Sequence, residues 1–293
     1  MNIFTTVMQI IAPVCILAGI GFVWARSGYE YRMEFVTRLS MTLGVPCLIF
    51  TALMKTQIEP AALTSVLLAS VVAYAVLTLI FWGVVTVLKL DIRTYLSPLI
   101  FGNTGNLGLP LALFAFGETG LGFAVVVFAV MVVWNFTFGV WLVSGGGSVM
   151  RVIREPVMGA TLLGALFLWQ GLQTPVWLTN SLSLTGQMAI PLMLITLGVA
   201  IARLGAGQFG RAFWLALGRA AVCLCVAVAT GWAFGLQPVP FAVLVLQITT
   251  PVAVTSYLLA EKYGADANAV AGLVMISTAM SIITLPLTLV FLI

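Results

Sequence analysis

Residues Gly102–Pro110 read GNTGNLGLP and residues Gln247–Ser256 read QITTPVAVTS, each inside a long apolar stretch. Three Gly, two Asn and a Pro within nine residues make a poor helix, since an interior Gly costs ~1 kcal/mol and an interior Pro ~3 kcal/mol relative to Ala. The second segment is interrupted by Pro251 behind two threonines. Both segments are expected to unwind. What an unwound backbone can do depends on its surroundings, and these follow from the rest of the chain.

The chain has 293 residues, 62% of them apolar and 7% charged, with a mean hydropathy of +1.20. A soluble domain carries about a quarter of its residues as charges, so most of this surface is expected to meet acyl chains. Apolar stretches run at about 4–24, 35–54, 62–88, 95–116, 119–143, 157–171, 176–201, 212–234, 239–260 and 267–293, which gives ten expected spans. Almost nothing is left for a soluble domain. The first stretch lacks a basic leader and is followed by its cations, so it reads as a retained span with a translocated amino terminus.

Lys and Arg collect in cytoplasmic loops. The odd-numbered loops hold Arg26, Arg32, Lys89, Arg93, Arg151, Arg154, Arg203, Arg211 and Lys262, whereas the even-numbered loops hold Lys55 alone. This alternation places odd loops in the cytoplasm and both termini on the extracytoplasmic side. Arg38 and Arg219 fall a few residues inside spans, and their long stems are expected to snorkel to the interface.

With no histidine in the chain, His-based triads and zinc centres are excluded. Cys15, Cys47, Cys223 and Cys225 lie in apolar stretches without a ligand set and read as packing residues. Scattered cations argue against nucleic acid as a partner. GNTGNLG lacks the lysine of a phosphate loop, so no ATP-driven step is expected. No enzyme activity, catalytic residue, metal or cofactor is expected.

Unwinding at membrane depth frees backbone groups that cost several kcal/mol each in hydrocarbon, so the two breaks are expected to face protein or a water-filled cavity. Pro110 and Pro251 suit the first position of a fresh helix, with Thr250 as the cap before Pro251. Each fresh helix would start with unpaired amide hydrogens and roughly +0.5 of an elementary charge, a locus that prefers an anion. Asn103 and Asn106 offer amide donors there, and Thr249, Thr250, Thr255 and Ser256 offer hydroxyls. Neutral oxygens of Gln247, Thr249, Ser256 and Ser277, with backbone carbonyls, could hold a coupling sodium ion. A coupling proton is disfavoured because the acids lie at span ends, with Glu118 and Glu261 nearest the breaks.

The chain divides into residues 1–143, a short cytoplasmic linker at 144–156, and residues 157–293. Five spans per half mean that, if the halves are homologous, the second is inverted with respect to the first. LGVPCLIFTAL around Pro46 corresponds to MAIPLMLITLG around Pro191, and FAFGETG near Gly117 to AEKYGAD near Gly264.

GNTGNLGLP, ITTPVAVTSYLLAEKYGAD and the closing STAMSIITLPLTLV resemble the auxin efflux carrier family, whose bacterial members include malonate-transporter-like proteins. The resemblance covers nearly the whole chain. It implies an all-α integral membrane protein of ten transmembrane helices in two inverted five-helix repeats, with two broken, crossing helices as in sodium/proton antiporters and bile acid symporters. It places substrate near Asn103, Asn106, Pro110, Thr250 and Pro251, and the shared motif adds Thr104 and Gly108. It also implies the inner (plasma) membrane of a bacterium.

The resulting expectation is a secondary transporter for a small organic anion, malonate-like or auxin-like, working by alternating access at the crossing. An anion channel and a sodium-coupled symporter for another solute are the alternatives. The expected partners are that anion and the lipid bilayer, with a homodimer as a candidate assembly.

Overall fold

A computed structural model describes residues 3–55, 58–144, 156–203 and 209–292. Among these residues every named element is helical, and one isolated β-bridge joins Gly102 to Val252. The elements are α1 (Ile3–Arg26), α2 (Met33–Lys55), α3 (Pro60–Val87), α4 (Ile92–Ile100), α5 (Thr104–Val143), α6 (Pro156–Gln170), α7 (Val176–Arg203), α8 (Phe209–Ala233), α9 (Pro238–Ile248), α10 (Val254–Tyr263) and α11 (Ala267–Leu292).

Seven helices among the described residues are long and apolar enough to cross a membrane: α1, α2, α3, α5, α7, α8 and α11. The sequence shows ten apolar stretches. The difference arises at α4, α9 and α10, which are the short pieces of interrupted stretches, at the short α6, and at α5, which runs on through a kink at Gly117. Residues 145–155 of the expected linker, with Arg151 and Arg154, lie outside the described residues.

Proline shapes the irregular helices. It has no N–H and crowds the carbonyl four residues back, so the preceding turn must widen or break. Ser40–Gly44 forms a π-helical turn just before Pro46, and α7 is interrupted at Met188, before Pro191. Gly117 and Gly264, the two glycines expected to correspond between the halves, both adopt positive φ (62° and 69°), Gly117 kinking α5 and Gly264 ending α10.

Two groups of helices result. In one, α1 packs on α7, and α2 packs on α6 and α7. In the other, α3, α8 and α11 surround α4, α5 and α9. The groups meet where α1 and α2 touch α5 and where α7 touches the first turn of α5. Large apolar side chains such as Leu79, Ile283 and Phe291 are exposed on the outer faces, as expected of a protein solvated by lipid. Trp24, Trp169, Trp177, Trp214 and Trp232 are exposed near helix ends, where amphipathic rings suit a membrane interface. The molecule is an integral membrane protein.

Candidate functional site

The two interrupted segments meet. The backbone N–H of Asn103 donates to the Pro251 carbonyl at 2.7 Å, and that of Ala253 donates to the Phe101 carbonyl at 3.3 Å, forming the antiparallel bridge around Gly102 and Val252. The extended backbone therefore satisfies itself across the crossing instead of facing hydrocarbon. Ser277 of α11 completes the arrangement: its hydroxyl accepts from the Val252 N–H at 3.1 Å and donates to the Val274 carbonyl.

Four helix ends converge here. α4 and α9 stop at the crossing, and α5 and α10 start from it. The restarts differ from the sequence expectation. Helical course resumes at Thr104, not at Pro110, through a π-helical turn in which the Leu107 and Gly108 amides both donate to the Asn103 carbonyl. Pro110 follows in the first turn of regular α-helix, the wider turn relieving its clash with the carbonyl four residues back. On the other side α10 starts at Val254 with Ala253 as its N-cap. Pro251 stays in the extended bridge, and the Thr250 hydroxyl donates back to the Gln247 carbonyl at 2.7 Å, closing α9 instead of capping α10.

The remaining polar side chains fall into three groups. Thr249 turns its hydroxyl back onto the Val245 carbonyl. Asn103 Nδ2, Thr104 Oγ1 and both amide atoms of Gln247 are buried without a hydrogen-bond partner among the described residues, and Gln247 and Thr104 are each 0% exposed. Gln247 lies against Gly108, where a Cβ would run into its amide group. Asn106 and Thr255, one from each broken segment, line a cavity of about 20 Å³ together with Thr37, Ser40, Met193 and Thr196. Pro110, Pro251 and Ser256 are buried around the same crossing. Gln247 and Ser277 serve different places in it, beside Gly108 and under Val252 respectively.

A larger cavity of about 530 Å³ lies between the two helix groups. Thr51, Lys55, Glu118, Ser183, Gln187 and Pro191 are among its lining residues, and Lys55 donates to Ser183 at 2.8 Å. At the other end of the molecule the Tyr31 hydroxyl meets that of Thr196 at 2.7 Å, and Arg203 donates to the Tyr31 carbonyl. Desolvation pushes the Tyr31 phenol above its ordinary range, against smaller opposite effects of the Thr196 hydrogen bond and the Arg203 charge.

Arg219 corrects the sequence reading. It does not snorkel; it is 2% exposed and lies at the crossing. Its Nε donates to the Leu99 carbonyl at 3.0 Å and its Nη1 to the Thr250 carbonyl at 2.8 Å, while Nη2 has no partner among the described residues. Arg219 is the only Lys, Arg, Asp or Glu buried among the described residues. The signal was present in sequence, because a cation ten residues past Phe209, inside an apolar helix, is more often functional than decorative. Arg38, by contrast, is exposed.

The chain matches the model of a family described as "Membrane transport protein", over residues 6–148 and again over 143–289. It is 26% identical over 301 aligned residues to a protein of Methanothermobacter thermautotrophicus named "Uncharacterized transporter", covering 97% of this chain and 98% of that one. It is 25% identical over 275 residues to a Rhizobium meliloti protein named "Putative malonate transporter", covering 86% and 84%. A Methanocaldococcus jannaschii "Uncharacterized transporter" is 26% identical over 203 residues, covering 64% of each. Two crossing helix interruptions in a lipid-solvated bundle, with the family model matching along nearly all of its length, make this chain a transport protein and not an enzyme: it belongs to the auxin efflux carrier family of membrane transport proteins.

Proposed function

We propose that this transporter is a secondary carrier for a small organic carboxylate, malonate-like in size and charge, which binds at the crossing and moves by alternating access. The observation that carries this reading is the Asn103–Pro251 bridge, because it gathers the N-termini of α5 and α10 at one place. Each N-terminus presents about +0.5 of an elementary charge and unpaired amide hydrogens, and Asn103 Nδ2 adds an unpaired donor nearby. The similarity to a relative named as a malonate transporter supports the substrate class.

The topology belongs to the same proposal. Joining α4 with the start of α5, splitting α5 at Gly117 and joining α9 with α10 gives ten spans in two inverted halves, with both termini extracytoplasmic. The matching positive-φ turns at Gly117 and Gly264 support this pairing. In that orientation the 530 Å³ cavity opens outward, and the path past Asn106 and Thr255 is narrowed to about 20 Å³ on the cytoplasmic side. In this reading the arrangement is an outward-facing state. No Asp or Glu is buried among the described residues to oppose an anion, and in this reading the substrate charge is balanced by the positive helix N-termini.

Radiolabelled malonate counterflow in proteoliposomes tests the proposal. Saturable uptake accelerated by internal malonate is expected. Linear flux without counterflow would favour a channel and end the carrier reading.

A further inference from the structure

The hydrogen-bond ledger of the crossing assigns a specific task to Arg219. In an unbroken helix the Asn103 N–H would donate to the Leu99 carbonyl. Here that N–H has turned to Pro251, which strands the Leu99 carbonyl, and Arg219 Nε takes its place. The Thr250 carbonyl lies just past the end of α9 and receives Arg219 Nη1. One guanidinium on α8 therefore serves a last-turn carbonyl of α4 and the first carbonyl beyond the C-cap of α9.

Charge gives the same answer. The C-termini of α4 and α9 carry about −0.5 each, summing to about −1, and the guanidinium carries +1. No carboxylate is buried with it among the described residues. The positive ends of α5 and α10 are left without a compensating charge. Gly102 makes this seat possible, because a Cβ there would come within 3.2 Å of Arg219 Nη2 and run into the Thr250 hydroxyl.

We propose that Arg219 is the positioning residue of the transport site: it cancels the two helix C-termini at the crossing and ties α4, α8 and α9 into one unit, so that an anion meets the net positive field of α5 and α10. This rests on the carrier reading above for its consequence, but not for its structural half.

Two readouts separate the halves. Amide hydrogen exchange of residues 99–108 and 249–256 in the purified protein reports the tie between the helices without any substrate. Malonate counterflow reports the field. Arg219→Met is expected to speed exchange in both segments by about tenfold or more, with α3 unchanged, and to raise the half-saturating malonate concentration by a similar factor. Arg219→Lys should restore both to within about threefold, whereas Arg219→Gln, a neutral donor, should leave half-saturation high. Unchanged exchange in Arg219→Met, or wild-type half-saturation in Arg219→Gln, overturns the proposal. If Arg219→Met does not accumulate in membranes, Lys is compared with Gln, and equal exchange and uptake in those two overturn it. A wild-type protein that exchanges slowly at the crossing but takes up no malonate defeats the carrier reading and leaves the exchange comparison to decide the role of Arg219.

Discussion

The Asn103 amide lies 2.7 Å from the Pro251 carbonyl, so residues separated by about half the chain replace each other's missing helical partners. Proline cannot donate and a helix end cannot be left bare in lipid. Pairing the two defects satisfies both segments. It also places side chains of GNTGNLGLP and QITTPVAVTS side by side, which neither segment could do alone.

Asn106 is half-buried and, with Thr255, lines the small cavity between the broken segments. Asn106→Ala is expected to raise the half-saturating malonate concentration about tenfold, the worth of one hydrogen bond to a charged group, without lowering membrane abundance. Counterflow over a malonate concentration series checks this, and unaltered half-saturation would remove Asn106 from the site.

Gly108 is where the first turn of α5 passes the buried Gln247 amide. Gly108→Val should cost about 1–3 kcal/mol through overpacking, seen as a lower melting temperature in detergent and a loss of uptake. Gln247→Ala in the same chain should recover part of that stability. A double variant no more stable than Gly108→Val would show that the contact is not the cause.

Ser277 carries the Val252 N–H at the centre of the bridge. Ser277→Ala strands a buried donor, at a cost of about 1–3 kcal/mol. Faster amide exchange at Val252 and Ala253, with α1 unaffected, is the expected signature.

Tyr31 and Thr196 join the connection between α1 and α2 to α7 on the expected cytoplasmic side. Tyr31→Phe removes one hydrogen bond worth about 0.5–1.5 kcal/mol, enough to move an outward/inward equilibrium several-fold toward the inward form. Cysteine-accessibility labelling at Thr37 would report that shift. Because desolvation raises the Tyr31 phenol above its ordinary value, the hydroxyl keeps its proton throughout the neutral range. The wild-type latch is therefore expected to be insensitive to pH from about 5 to about 9. A change of labelling with pH in wild type that Tyr31→Phe abolishes would contradict this.

Much of the fold was legible because composition acts locally. Apolar runs and the Gly, Asn and Pro clusters located the long apolar helices and both interruptions within a few residues, but not that α5 runs on through Gly117. Where the helices restart was not legible. Pro110 and Pro251 are both good first-turn residues, yet helix resumes at Thr104 and Val254, the first residues beyond the bridge that Phe101–Asn103 and Pro251–Ala253 form. Arg219 was misread for a related reason. Its distance along the helix from the cytoplasmic end suggested a reach to water, but the stranded Leu99 and Thr250 carbonyls offered a nearer partner.

The amino-acid sequence on its own determined that the chain dissolves in lipid and that its helices fail at two stretches, because hydropathy and backbone propensity are properties of neighbouring residues. Only the tertiary structure decided that the two failures repair one another, that one arginine answers both stopped helices, and that Asn106 and Thr255 share a cavity while Gln247 is sealed against Gly108. Those relations join residues from about thirty to about a hundred and fifty positions apart, and contacts at such separations are chosen by packing, not by propensity.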